Sequence, residues 1–381
     1  VTRRPESARS REAARRARRI VVKAGSSILT DAGVLRARAF TDLARQVAQL
    51  TEQGREVVVV SSGAIAIGSR ALGWTHPGHS MSEKQAAAAL GQIGLVELYR
   101  RRFARHGKRV AQILVTRTDM EDRERFLNAR HTLLTLLRLG VVPIVNENDT
   151  VATEEIRFGD NDSLSATIVN LVAADLLVLL TDVPGLYASP PAAGKPLPPL
   201  FDVVAAVTPE IEQAAQGSAH AFGRGGMTTK LEAAKSAARS GAATVVCNGR
   251  GRETLLQVAR GEHVGTLFCA GEKLRSRKHW LAFTTTLRGE LVVDEGAARA
   301  LVDRGRSLLP AGIVAVKGEF GIGDVVACVD RAGRELARGL ACYAAKDVVR
   351  IKGLSTREIA PVLGYSNGDE VIHRDDLVLT S

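Results

Sequence analysis

The sequence predicts an α/β chain: a three-layer αβα sandwich around a mostly parallel sheet, followed by a small β-rich domain. Three observations carry that expectation. Between residues 20 and 270, short β-branched runs alternate with longer helical patterns, the rhythm of βαβ units. Several of the runs end directly in glycine, hydroxyl, acid or amide residues, as strands do where a parallel sheet binds its ligand. Beyond residue 279 the rhythm stops, and short strands punctuated by glycine take over.

The expected strands of the first domain are Ile20–Lys23, Val57–Val60, Val110–Val115, Val142–Asn146, Leu176–Thr181 and Thr244–Asn248. Each is a short apolar, β-branched run of strand length. Helical patterns fill the gaps at Ala39–Glu52, Ser82–Arg105, Glu124–Leu139, Ser163–Val172 and Thr229–Ser240. The proline-rich stretch Pro190–Pro199 cannot form regular structure and reads as an exposed loop. Residues 271–279 form a basic linker. Residues 280–381 then hold strands Glu290–Val293, Ile313–Lys317 and Val325–Val329 around one helical stretch, Gly296–Asp303.

The net charge of +11 is concentrated at the start. Residues 1–19 hold eight arginines and two glutamates, 8 − 2 = +6, which leaves 11 − 6 = +5 for the rest. That segment reads as a disordered Arg-rich tail with no part in the chemistry. The four cysteines form no C-x-x-C pair and no zinc-type spacing with histidine, so they read as buried or incidental thiols. No apolar run approaches the ~20 residues that span a bilayer.

Chemistry gathers at the strand ends. Ile20–Lys23 runs into Ala24-Gly25-Ser26-Ser27, a lysine followed by a small-residue turn. Ser61-Ser62-Gly63 follows the second strand and offers free N–H groups or simply a tight turn. Asn146-Glu147-Asn148-Asp149 closes another strand, and Gly159-Asp160-Asn161-Asp162-Ser163 opens a helical pattern. The latter is good N-cap chemistry and, beside a second acid/amide cluster, also a candidate site. Gly223-Arg224-Gly225-Gly226-Met227-Thr228-Thr229-Lys230 leads into a helix, where glycines, hydroxyls and an ammonium suit a bound anion. Two lysine-plus-glycine elements so far apart in sequence suggest one phosphoryl-transfer site assembled from both.

Several routes to other chemistry are missing. There is no G-x-x-x-x-G-K-[ST], no G-x-G-x-x-G opening a helix after a strand, no H-E-x-x-H and no G-x-S-x-G. None of the eight histidines falls in the strand-end clusters. A hydroxyl nucleophile needs a base, whereas a carboxylate with a pKa of ~4.3 is already ionised at neutral pH. Transfer to a carboxylate can therefore run on positioning and charge neutralisation, using lysines and backbone donors.

The motifs together resemble the glutamate 5-kinases, a family of the amino-acid kinase superfamily. They are Val22–Ser27, Ser61–Ile65, Met120–Arg130, Asn146–Asp149, Gly159–Asp162 and Gly225–Lys230. The resemblance covers nearly everything from Ile20 onward and assigns residues 20–270 to the catalytic domain. It implies ATP-dependent phosphorylation of the L-glutamate side-chain carboxylate, the first step of proline biosynthesis. Lys23 and Lys230 would neutralise the transferring phosphoryl group, with Asp160 holding both. Ser62, Gly63, Asp149 and Asn161 would bind glutamate, with Asn146 and Asp162 as neighbours. Gly25, Thr181, Asp182 and the loop Arg224, Gly225, Gly226, Met227, Thr228 and Thr229 would join the two lysines around ATP. Mg2+ would come with the nucleotide, held mainly by its phosphates and by no protein ligand.

The resemblance also implies a cytoplasmic homo-oligomer, a dimer or tetramer, inhibited by proline. Two positions depart from the family pattern: Ala24 replaces a larger apolar residue, and Arg224 a small hydroxyl residue. The C-terminal domain resembles a PUA domain, an RNA-binding module elsewhere, through Gly289–Ala297 and Ser307–Ile313. Residues 278–381 carry 14 Lys/Arg and 14 Asp/Glu, a zero balance that disfavours RNA as a partner. Two alternatives stay open: a kinase for another small acid such as N-acetylglutamate or aspartate, and an RNA-binding protein with a vestigial kinase fold.

Overall fold

The computed structural model describes residues 11–31, 34–152, 161–189, 191, 196–215, 226–271 and 287–380. The chain divides into two units, residues 1–273 and 274–381. The first is built on β1 (Arg19–Ala24), β2 (Thr30–Asp31), β3 (Val34–Leu35), β4 (Glu56–Ser61), β5 (Arg109–Val115), β6 (Val141–Glu147), β7 (Leu176–Thr181), β8 (Val203–Val204), β9 (Ala243–Asn248) and β10 (Thr266–Phe268). Eight of these form one sheet in the order β5-β6-β4-β1-β7-β9-β10-β8, while β2 and β3 pair as a separate hairpin. Neighbours run parallel except β9 and β10.

The central strands are apolar throughout because both of their faces are covered. Ile20, Val22 and Ala24 of β1 join one core cluster, with residues from the helices Ala37–Glu52, Met81–Ala104 and Thr254–Ala259. Val21 joins the other, with the helices Arg123–Arg138, Asn161–Val172 and Met227–Arg239. This alternation places Lys23, two residues after Val21, on the second face. All six expected strands are present. So are the five expected helices, with ends shifted by one or two residues. The helix Ala64–Ala71 follows the Ser61-Ser62-Gly63 turn, where the sequence offers a strand-to-helix junction; its eight residues give too few turns for a clear apolar period of their own.

That helix packs against Met81–Ala104 through two glycines. A Cβ on Gly68 would stand 1.7 Å from the Ala87 carbonyl oxygen, and one on Gly91 would stand 1.8 Å from that of Ala64. The long helix starts on a capping box between Ser80 and Glu83.

The disordered reading of residues 1–19 is corrected at residues 11–19, while residues 1–10 lie outside the described residues. Residues 11–16 are helical, Arg19 begins β1, and Ala14 and Ala17 are buried in the core. Arg11 is only 2% exposed. Its guanidinium donates to the carbonyls of Glu262, Val264, Gly265 and Asp202 at 2.8–3.1 Å and to Asp202 Oδ1 at 2.7 Å. A planar five-donor group can satisfy such a ring of acceptors, so this arginine is a clamp rather than part of a solvated charge run. Of the Pro190–Pro199 loop, residues 190 and 192–195 lie outside the described residues.

The second unit is a five-stranded sheet of β11 (Gly289–Val293), β12 (Ile313–Gly318), β13 (Val325–Val329), β14 (Glu335–Leu340) and β15 (Leu377–Leu379), in the order β12-β11-β13-β14-β15. Its core gathers around Leu291, Val326, Tyr343 and Ile372. The expectation of one helical stretch is corrected by two more helices, Ala345–Ile351 and Ile359–Leu363, each too short to show a period.

Replacing Arg11 with Met should cost about 2–4 kcal/mol, because buried carbonyls lose a charged donor. A fall in the urea midpoint at pH 7 checks this. Burial raises the Asp202 carboxyl, but the Arg11 hydrogen bond and charge outweigh it, helped by His263, and hold it below its usual value. The stability this contributes is present above the unfolded pKa of ~3.9 and is lost as pH falls through the lower folded value. The Met variant should therefore lose less stability than the parent between pH 4 and 2.

Candidate active site

Three side chains meet beyond the carboxyl end of β1. Lys23 Nζ lies 2.6 Å from Asp162 Oδ1, and Lys230 Nζ lies 3.1 Å from Asp162 Oδ2. Asp162 is fully buried, and the two lysines are 6% and 5% exposed. Local sequence explains each placement. Lys23 is carried by a strand buried on both faces. Asp162 stands in the first turn of Asn161–Val172, where the helix dipole favours a negative charge. Lys230 occupies the first turn of Met227–Arg239, where the same dipole disfavours it and the Asp162 carboxylate compensates.

Thr229 completes the unit, its hydroxyl 2.9 Å from Asp162 Oδ2 and 2.9 Å from the Gly226 carbonyl. The helix Met227–Arg239 begins at Gly226 with no side-chain cap and no acid in its first turn. Its first N–H groups therefore remain donors for an anion. Gly25 keeps the neighbouring turn open, since a Cβ there would stand 3.1 Å from Lys23 Nζ.

Asn161 leads into a second cluster. Its amide nitrogen donates to Ser62 Oγ at 2.7 Å, to the Ser61 carbonyl at 3.1 Å and to Asn146 Oδ1 at 3.3 Å. The Ser62 hydroxyl, accepting from Asn161, keeps its proton to donate outward. Gly63 supports this turn through its backbone: at φ 111° it holds a left-handed conformation, and it is the N-cap of Ala64–Ala71. Asn146 Nδ2 donates in turn to Gln92 Oε1 at 3.3 Å. Gln92 shares the wall of a cleft with Asn148 and Asp149.

A third group lies at the ends of β7 and β9. Thr181 Oγ1 is 3.1 Å from Asp182 Oδ1, and Asn248 Nδ2 donates to the Asp182 carbonyl at 3.2 Å. β7 pairs with β1, Leu180 beside Ala24, so Thr181 stands level with Gly25 at the turn that follows β1.

The structure thus brings Lys23, Lys230, Thr229 and Gly226 together, and sets Ser62, Gly63, Asn146 and Asn161 beside them. The acid seen between the lysines is Asp162, expected among the glutamate-side neighbours. Asp160, to which that bridge was assigned, lies outside the described residues, as do Arg224 and Gly225. Two adjoining acids in Gly-Asp-Asn-Asp cannot be ranked without knowing where the helix begins. Starting it at Asn161 puts Asp162 within the first turn. Gln92 was missed altogether. The available signal was its spacing from Gln85 and Tyr99, seven residues to either side on one helix.

Two ammonium groups sharing a carboxylate over a strand end, beside an uncapped helix start, define the class: phosphotransferases built on a parallel sheet. Residues 18–248 match the Amino acid kinase family, and residues 289–363 match the PUA domain. Curated relatives carry the name glutamate 5-kinase. That of Paraburkholderia phymatum is 51% identical over 95% of this chain and 98% of its own. Those of Methylobacillus flagellatus and Azoarcus sp. are each 52% identical, over 94% and 97% of this chain and 97% and 100% of theirs. The chain belongs to the glutamate 5-kinase family of amino acid kinases.

Exchanging Asp162 for Asn should lower kcat by at least about a hundredfold, because the lysines lose the charge that aligns them. Coupled ADP release measures the loss, and circular dichroism should still report a folded chain. Ser62→Ala should instead raise the KM for the acid substrate several-fold with little change in kcat.

Proposed function

We propose that this chain transfers the γ-phosphoryl group of ATP to the side-chain carboxylate of L-glutamate, giving L-glutamyl 5-phosphate and ADP, the opening step of proline biosynthesis. The observation that carries the reading is the Asp162 carboxylate split between Lys23 and Lys230. Each of its oxygens orients one ammonium, so two cations are held at one strand end. The triphosphate enters over the uncapped start of Met227–Arg239, with Thr181 and Asp182 on the nucleotide side. Glutamate sits over Ser62, Asn161, Asn146 and Asp149.

A glutamate carboxylate oxygen attacks the γ-phosphorus. The new O–P bond forms as the bond to the β–γ bridging oxygen breaks, and the electron pair leaves with ADP. No proton has to be removed, because the nucleophile is already ionised. The ammonium groups of Lys23 and Lys230 neutralise charge on the phosphoryl oxygens as they spread in the transition state.

Among the described residues no group of three or more His, Cys, Asp or Glu could hold a metal ion. On the family resemblance, Mg2+ would accompany ATP, held mainly through the phosphates, and would offset phosphate charge there. Proline inhibition, a homo-oligomeric state and a cytoplasmic location belong to the same proposal, on the family resemblance alone.

ADP release should depend on L-glutamate, and hydroxylamine should trap the acyl phosphate as a hydroxamate. Stronger turnover with N-acetylglutamate or aspartate would transfer the reading to that acid. Lys230→Ala should reduce kcat by at least about a hundredfold with the thermal unfolding midpoint near that of the parent. Near-normal turnover would remove Lys230 from the mechanism.

A further inference from the structure

The long helix Met81–Ala104 presents three polar side chains at seven-residue spacing, and each reaches a different segment around the acid-binding cluster. Gln85 Nε2 donates to the Ala152 carbonyl at 3.1 Å, Gln92 Oε1 accepts from Asn146 Nδ2 at 3.3 Å, and Tyr99 Oη lies 2.8 Å from Ser61 Oγ. Seven residues are two helical turns, so the three lie along one face. Gln92 and Tyr99 are nearly or fully buried there. Buried polar groups on an otherwise apolar packing face are costly unless their bonds serve something.

The hydrogen bonds at Gln92 have a direction. Its carbonyl oxygen receives an N–H from Asn146, which turns the Asn146 carbonyl toward Asn161. Asn161 then presents its NH2 group to Asn146 and to Ser62, the same sense that the Ser61 carbonyl, also an acceptor from it, requires. Two consequences face the substrate. Ser62 Oγ, already an acceptor, is left with an O–H to donate to a carboxylate. No donor among the described residues reaches Asn161 Oδ1, which is left to accept from an ammonium. Reversing Asn146 would set NH2 against NH2 at Asn161 and drive that amide over. Its carbonyl would then take the Ser62 proton, and both outward groups would be lost.

We infer that Gln92 is a positioning residue: through Asn146 it sets the hydrogen-bond polarity of the Asn146–Asn161–Ser62 chain, and so the fit of the site to an amino acid. The inference rests on glutamate as the substrate, and the wild-type assay tests that separately. If wild type releases no ADP with glutamate, the function proposed above fails before any variant is compared.

The test is a double-mutant cycle. Gln92→Met keeps the length of the side chain and removes the acceptor. It should raise the KM for L-glutamate about tenfold, the effect of losing roughly one oriented hydrogen bond. The kcat should stay within about threefold, and the KM for ATP within about twofold. On an Asn146→Ala background the same substitution should change the glutamate KM by less than about twofold, because the residue through which it acts is gone. Tyr99→Phe removes a polar bond from the same helix face and should leave the glutamate KM unchanged.

Three results would each overturn the inference. One is a glutamate KM within about twofold of wild type in Gln92→Met. Another is an equal effect on the Asn146→Ala background. The third is displacement of the helix, read either as a parallel rise in Tyr99→Phe or as a loss spread equally over kcat and both KM values. Should Gln92→Met not fold, Gln92→Leu carries the same cycle.

Discussion

The site depends on one carboxylate keeping two ammonium groups together. Like charges about 4 Å apart repel by about 4 kcal/mol at the effective dielectric of a protein surface. Flexible lysines would relieve that repulsion by swinging apart toward water. Asp162 removes the incentive, giving one oxygen to Lys23 and the other to Lys230. Its own geometry is fixed by the first turn of a buried helix and by the Thr229 hydroxyl. In the proposed mechanism a triphosphate would meet cations whose positions are settled during folding, leaving little reorganisation for the chemical step.

The sheet explains why these groups can be so distant in sequence. Lys23 leaves β1, Asp162 follows β6, and Lys230 precedes β9. A parallel sheet sends every strand end to the same edge, and the helices that follow begin there with their positive ends. The second face of β1 receives Lys23 because the side-chain period of a strand is two and Val21 is packed against the helices on that side. Shifting β1 by one residue would turn the lysine toward the other layer. Continuous pairing with β4 and β7, from residues 19 and 20 to residue 24, prevents that.

What the sequence could convey follows from the range of each signal. The strands were legible because a run such as Leu176–Thr181 carries its apolar pattern in consecutive residues. The lysines were legible because each adjoins a turn that contains glycine, Gly25 after Lys23 and Gly226 before Lys230. The acid seen between them was harder to single out, because Gly-Asp-Asn-Asp offers two acids two residues apart, and of these the described residues include Asp162 alone, in the first turn of its helix. Arg11 was misread because a count of charges cannot distinguish a guanidinium in water from one surrounded by five acceptors. Its partners lie 191 to 254 residues away, beyond any local pattern. The short helices of the second unit failed for lack of length.

The acid side of the site is organised by a different principle from the phosphate side. Lysines act through charge, which has reach but little direction. The chain Gln92–Asn146–Asn161–Ser62 contains no charge, and every member can both give and accept. Direction in such a chain is held at both ends, by the Ser61 carbonyl that accepts from Asn161 and by Gln92 on a helix packed closely against its neighbour at Gly68 and Gly91. The division suits the chemistry. A phosphoryl group spreading its charge is served by cations that tolerate small displacement. A small amino acid must be told from other acids by groups whose donor and acceptor sense is set before it arrives, since leaving one of them unpaired is what rejects the wrong ligand.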